Sequence, residues 1–336
     1  MTIDSAKIKY SILELAFISE GGSVAQTFAN SVDLAQLAED LGYHRFWLAE
    51  HHNSISIASS ATSVLIGHVA QNTKSIRVGS GGIMLPNHSP LIVSEQFATL
   101  GQLFPNRIDL GLGRAPGTDQ LTAKAIRGDR MQAVNQFPTD IEAIQRYFSQ
   151  DNSAAQVRVA IAEGVDVPIY ILGSSTDSAY LAAEKGLPYA FASHFATTFL
   201  DDALDIYYNN FKPSAYLQSP YSIACVNVIA AETNAEAERY MTSLIKMFVG
   251  VLTGKREYLQ PPTEMTADLR ALLYNQSIYD MLKYTFVGDK SAVKEKTLDF
   301  LKRTGVNEIM AVTNIYGHNE RLNSYRIFAE IMREIG

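Results

Sequence analysis

His44-Arg45-Phe46-Trp47-Leu48-Ala49-Glu50-His51-His52-Asn53, Ile76-Arg77-Val78-Gly79-Ser80-Gly81-Gly82-Ile83-Met84-Leu85-Pro86 and Asn106-Arg107-Ile108-Asp109-Leu110-Gly111-Leu112-Gly113-Arg114-Ala115-Pro116-Gly117 are three apolar, strand-like runs. The first and third break into polar or glycine-rich sequence at their C-terminal ends. The second carries its glycines within it. Helical stretches separate them. Successive parallel strands with polar C-terminal ends are how an α/β barrel assembles a site at one rim. A packed core has no need of His-His or Gly-Gly there.

The same periodicity extends over the chain. It predicts strands near 8–17, 44–49, 76–84, 107–112, 167–172, 188–193, 221–230 and 308–314. Helices are predicted near 24–41, 58–72, 90–103, 131–149, 176–186, 197–210, 234–252 and 290–304. This alternation points to a closed (β/α)8 TIM barrel rather than an open doubly wound sheet. Two long connections interrupt it: 113–130 after the fourth strand, and 254–285 before the eighth. The second holds Gln260-Pro261-Pro262-Thr263 and a helical-looking Thr266–Tyr284. Long insertions in compact domains usually serve function. No Pro/Ser-rich linker divides the chain, so 1–336 reads as a single domain.

Composition narrows the function classes. The 336 residues are 47% apolar and 19% charged, with a net charge of −7. No basic face is visible to neutralise phosphates, which argues against nucleic-acid binding. Cys225, the only cysteine, excludes an intrachain disulfide and a multi-cysteine metal site, and fits a reducing compartment. Within Ser222-Ile223-Ala224-Cys225-Val226-Asn227-Val228 it reads as a small buried residue. There is no signal-peptide pattern, and no apolar run approaches the roughly 18 residues of a membrane span. The expectation is a soluble cytoplasmic protein without a membrane partner.

Glu50-His51-His52 closes the second strand. Adjacent strand residues face opposite ways, so these histidines do not share one metal. No metal-ligand spacing appears elsewhere, and no metal is expected. What remains is one histidine facing the barrel mouth as acid, base or hydrogen-bond donor, against a structural pair. Gly79-Ser80-Gly81-Gly82 marks either a bulge or the close approach of a ligand. Gly111-Leu112-Gly113-Arg114 lacks the spacing of a dinucleotide fingerprint and the Gly-Lys-Ser/Thr of a P-loop. It leaves Arg114 as a cation for a phosphate or carboxylate, or as a surface residue.

Val167-Pro168-Ile169-Tyr170-Ile171-Leu172-Gly173-Ser174-Ser175-Thr176-Asp177-Ser178 is the clearest local signal. A strand meets glycine and a run of hydroxyls where a helix starts. Free N–H groups and hydroxyls there favour an anion, and a phosphate accounts for more hydroxyls than N-capping needs. His194, Asn314, Tyr316 and His318 lie just past the sixth and eighth strands, at the mouth or in loops. No lysine sits at a clear strand end, which disfavours a Schiff-base aldolase. Paired acidic metal ligands are absent from the strand ends, which disfavours enolase-like chemistry.

These residues carry a resemblance. Phe46–Asn53, Val78–Pro86, Asn106–Arg114 and Gly186-Leu187-Pro188-Tyr189-Ala190 resemble the bacterial luciferase-like flavin monooxygenases, in the group that does not emit light. The resemblance spans essentially the whole chain. It implies a TIM barrel binding FMN at its C-terminal mouth, with His51 as the catalytic histidine. It places a non-proline cis peptide, lying against the flavin ring, at Gly81–Gly82. It assigns the flavin phosphate to Arg114, Ser175 and Ser178, with Ser174 where luciferase has a carboxylate. A second arginine of the family maps onto Arg130. The cysteine that light emitters carry before the phosphate arginine is Gly113 here, which argues against bioluminescence and aldehyde use.

The expectation is therefore an FMN-dependent monooxygenase. It would take reduced FMN as co-substrate from a separate flavin reductase, and use O2 to oxygenate a small organic substrate. The rival readings are a deazaflavin-dependent dehydrogenase on the same fold and a non-catalytic flavin-binding protein. The resemblance also implies a homodimer through the helices after the second and third strands, where Ala58–Val69 is apolar and rich in small residues.

Overall fold

Side chains alternate in and out along the strands, and that alternation builds two cores. A computed structural model describes residues 8–128 and 130–336, without the side chains of Arg130 and Met131. The assignment of a second phosphate arginine to Arg130 thus lies outside the described residues. The strands are β1 (Lys9–Glu14), β2 (Arg45–Leu48), β3 (Arg77–Ser80), β4 (Ile83–Met84), β5 (Ile108–Gly113), β6 (Ile169–Gly173), β7 (Tyr189–Phe191), β8 (Ser222–Ala230), β9 (Thr285–Gly288) and β10 (Glu308–Val312). Eight of them form a closed parallel ring in the order β1-β2-β3-β5-β6-β7-β8-β10, with β10 returning to β1. Residues Ile223, Cys225, Met310 and Val312 point into the ring, while Ala224, Val226, Ile309 and Ala311 point out toward the helices.

Around the ring lie α1 (Val24–Asp40), α2 (Thr62–Gln71), α3 (Pro90–Leu103), α4 (Gln120–Ile126), α5 (Arg130–Phe148), α6 (Thr176–Lys185), α7 (Leu200–Asn210), α8 (Asn234–Thr253), α9 (Ala267–Leu272), α10 (Gln276–Leu282), α11 (Lys290–Thr304) and α12 (His318–Ile335). Local chemistry sets their ends. Ser23, Thr233 and Asp289 accept the N-terminal N–H bonds of α1, α8 and α11. Gly186 and Gly305 take the left-handed conformation that ends α6 and α11.

The ring matches the eight predicted strands, with three differences. The strand predicted over 76–84 is broken: β3 ends at Ser80, the Gly81–Gly82 peptide is cis, and β4 resumes at Ile83. The insertion 254–285 folds as α9 and α10 rather than one helix, because Leu273-Tyr274-Asn275 turns the chain and Asn275 caps α10. It leads into β9, which pairs with the C-terminal half of β8 outside the ring (Asn227 opposite Thr285). The predicted helices stop at 304, whereas α12 adds a further amphipathic helix whose Leu322, Tyr325, Phe328 and Met332 are buried.

The floor of the barrel is ionic. Arg45 from β2 is buried, donating to Glu308 of β10 at 2.9 Å, and to Asp109 of β5 and the Tyr170 hydroxyl at 2.6 and 2.8 Å. Asp109 also accepts from Trp47 Nε1 at 3.0 Å and pairs with Arg77 at 2.5 Å. Two cations thus face two anions near the N-terminal ends of the strands. Burial alone pushes the Asp109 carboxyl up, but Arg45 and Arg77 bring it net below its ordinary value. Removing one partner of a buried pair leaves an uncompensated charge. Arg45→Met is therefore expected to lower the unfolding free energy by about 3 kcal/mol or more, read from urea unfolding. A change within experimental error would show that the floor does not hold the ring.

Candidate active site

At the C-terminal ends of the strands the barrel opens into a cavity of about 970 Å³, the scale of small-ligand sites. Leu13, Trp47, Ile223 and Met310 form its base from four strands, and Phe195 and Phe248 contribute from later segments. Polar groups interrupt this apolar lining in several places, Lys246, Lys255, Arg256 and Glu257 among them.

One group lies where β6 gives way to α6. Ser174, Ser175 and Ser178 all line the cavity there, as does Arg114 just beyond β5. Ser175 is the N-cap residue of α6 but its side chain makes no capping bond. Ser178 Oγ donates to the Ser175 carbonyl at 2.8 Å and shares a 3.0 Å hydrogen bond with Tyr189. A Cβ at Gly173 would collide with Ser178, so glycine keeps this corner open. Arg114 meets Asp177 at 3.0 Å, but both side chains are exposed. Such a surface pair contributes little and yields readily to a stronger anion.

The second group surrounds Glu50. Its carboxylate meets His52 Nε2 at 2.8 Å and His88 Nε2 at 2.9 Å, and accepts the Met84 N–H at 3.0 Å. Burial pushes the Glu50 carboxyl up, yet the bonds from His52 and His88 and the Met84 N–H bring it net down to about 2. Glu50, His52 and His88 bring three ligand-type atoms within 4.8 Å of one another. Their mutual hydrogen bonds account for that grouping.

His51 lies between the two clamped residues and lines the cavity. Its backbone N–H donates to Ser59 O at 2.9 Å. Its Nδ1 is sealed from solvent without a partner. Burial, then the positive charge of Arg256, lowers its pKa to about 4 despite the opposing charge of Glu50. The imidazole is therefore neutral near pH 7.

Gly81 also lines the cavity, and a Cβ there would approach Leu13 at 2.6 Å. Gly82 does not line it; its Cβ position lies 2.7 Å from the Gly111 carbonyl. Of the residues left open by sequence, His194 and Asn314 line the cavity. Tyr316 instead donates to the Glu20 carbonyl at 2.7 Å, and His318 pairs with Asp33 at 2.7 Å. Cys225 is buried in the cavity base, with its thiol pushed up by burial. Sequence reasoning missed His88, whose only signal is its place just past the third predicted strand.

The profile of the luciferase-like monooxygenases matches residues 8–308. The chain belongs to the luciferase-like monooxygenase family. It is thus a monooxygenase by family. It is 45% identical to a luciferase-like monooxygenase of Escherichia coli (strain K12), over 98% of each chain. It is 33% identical to the N-acetyl-S-alkylcysteine monooxygenase of Bacillus subtilis (strain 168), over 96% of this chain and 98% of that one. Among solved structures, apo-MsnO8 superposes with a TM-score of 0.87 at 35% identity, covering 97% of this chain and 98% of the other.

In this luciferase-like monooxygenase the His51 ring should titrate near pH 4 rather than 6.5. Its folded pKa lies below its unfolded value. Its contribution to stability is complete above pH 6.5 and is lost as pH falls toward 4. Histidine-labelled NMR across this range checks it. A His51 titration centred near 6.5 would contradict the buried, uncharged placement.

Proposed function

We propose that the protein binds FMN in this cavity and, with reduced flavin from a separate reductase and O2, oxygenates a small organic substrate. One observation carries the reading: a single apolar cavity has an anion cradle at one end and a neutral histidine in its wall. The cradle suits the FMN phosphate in its chemistry. Arg114 offers a planar cationic fork, Ser174, Ser175 and Ser178 offer hydroxyls, and α6 offers unpaired N–H groups. Gly81 leaves room for a flat ring system to approach the barrel wall.

Bound reduced flavin supplies the electrons and the oxygen chemistry. The chain supplies the surroundings. Leu13, Trp47, Ile223 and Met310 keep water from the reacting groups. Arg114 and the α6 N-terminus fix one end of the cofactor. His51 Nδ1 is sealed, which leaves Nε2 to give or take a proton at the cavity. Glu50 and His52 hold the backbone on either side of that ring. A thioether is the first substrate class to test, because the Bacillus subtilis relative is named for one.

The reading extends to assembly and location. Val64 of α2 and Ile92 and Leu103 of α3 are exposed apolar residues on neighbouring helices, and we assign them to a homodimer contact. No helix among the described residues is long and apolar enough to cross a membrane, and the proposed site of action is the cytoplasm.

Three experiments test these assignments. Arg114→Ala combined with Ser175→Ala should weaken FMN by roughly ten- to a hundredfold, the scale of lost charged hydrogen bonds, and riboflavin only slightly. His51→Ala should keep FMN affinity within about threefold and lower substrate oxygenation by roughly 100-fold or more. Equal weakening of both flavins would remove the phosphate assignment, and undiminished oxygenation would remove that of His51. Light scattering should give a dimer mass at micromolar concentration; a monomer would refute the contact at α2 and α3.

A further inference from the structure

His194 follows β7, four places from β2 in either direction around the eight-stranded ring. It therefore reaches the cavity from the wall opposite His51. Its backbone is pinned on both sides. Ser193 Oγ donates to the Cys225 carbonyl at 2.6 Å, and Asn227 Nδ2 donates to the His194 carbonyl at 2.6 Å. Its ring stands edge-on to Phe195 at 4.8 Å. The side chain is thus held, yet the ring makes no hydrogen bond among the described residues.

That missing bond is the observation that needs a cause. His194 is 8% exposed, and its Nδ1 is sealed without a partner. Nε2 is neither sealed nor bonded, and the residue lines the cavity. A buried polar group with no partner is costly, and a fixed one at a cavity wall is usually completed by ligand or water. The proton belongs on Nε2, where an acceptor can reach it, because a sealed Nδ1–H would have none. Burial, and then the repulsion that a protonated His51 would exert, lowers the His194 pKa to about 3, so this donor is uncharged near neutrality.

We propose that His194 Nε2–H grips the organic substrate, which is an apolar molecule carrying a hydrogen-bond acceptor such as a carbonyl oxygen. His194 positions that substrate opposite His51. Phe195, Ile223, Cys225 and Met310 receive its apolar body. The inference rests on this cavity being the substrate site, and it does not depend on which flavin the cavity holds.

Acetophenone and ethylbenzene test it directly, since they share a shape and differ by one carbonyl oxygen. Without a donor in the cavity the carbonyl loses water for nothing, and ethylbenzene binds better. With His194 engaged, calorimetry on the wild-type protein should show acetophenone tighter by about tenfold, the scale of one good hydrogen bond. The 15N signal of His194 Nε2 should move with acetophenone and not with ethylbenzene. His194→Leu should abolish the preference, and His194→Gln, which keeps an N–H donor, should restore part of it. The proposal is overturned if wild-type protein fails to bind acetophenone or prefers ethylbenzene. It is also overturned if His194→Leu keeps the preference, or if only the His51 signal responds. Parallel FMN titrations of each variant separate this result from the cofactor reading: a wild type that binds acetophenone through His194 but not FMN would sink only the latter.

Discussion

The buried carboxylate of Glu50 is the constraint on which the site depends. It lies two residues past β2, yet it also receives His88 from the segment after β4 and the Met84 N–H from β4 itself. Asn87 beside it donates to the Pro116 carbonyl at 2.9 Å, and the His52 N–H donates to the Gly117 carbonyl at 3.1 Å. Three loops from three strands are thus tied at one point. An ionised carboxylate in such a place is costly unless its oxygens are satisfied. Here the hydrogen bonds outweigh burial, and the group stays charged. The consequence falls on His51. Its neighbours on both sides are anchored by hydrogen bonds, which fixes the backbone that carries its ring at the cavity wall.

The same logic of opposed ends runs through the barrel. The floor is filled by Arg45, Arg77, Asp109 and Glu308, whose charges cancel in pairs. The mouth is a cavity with a largely apolar base and two neutral histidines, His51 and His194, in its wall. The charges at the closed end are paired with one another, whereas Lys246, Lys255, Arg256 and Glu257 join Arg114 in the lining of the open end. At the open end the partner that holds Arg114 among the described residues is the exposed Asp177, which leaves the guanidinium available.

Much of this was legible in the sequence because a barrel converts position along a strand into height in the molecule. His51, Gly81, Arg114, Ser174, Ser175 and Ser178 each sit at or near the C-terminal end of a strand, and all six line one cavity. The interior floor was not legible. Arg45 and Glu308 are 263 positions apart, and only closure of the ring brings them together. Glu50 and His88 are 38 apart, and the apolar pattern does not show that the segment after β4 folds back against the residues that follow β2. His194 stayed undecided because the turn after β7 sets which way its ring points, and neither Ala192 nor Ser193 signals that turn. β9 escaped because its four residues follow helices without a Gly or Pro to announce a strand.

The central claim is that this cavity takes FMN, rather than a deazaflavin or no flavin. Trp47, the sole tryptophan, lies in the cavity base and reports on whatever fills it. Its fluorescence should be quenched by oxidised FMN in a saturable, one-to-one titration, with a deazaflavin coenzyme titrated in parallel. Saturable quenching by the deazaflavin without any by FMN would contradict the account and favour a dehydrogenase on the same barrel. No saturable response to either would show that the cavity is not a flavin site.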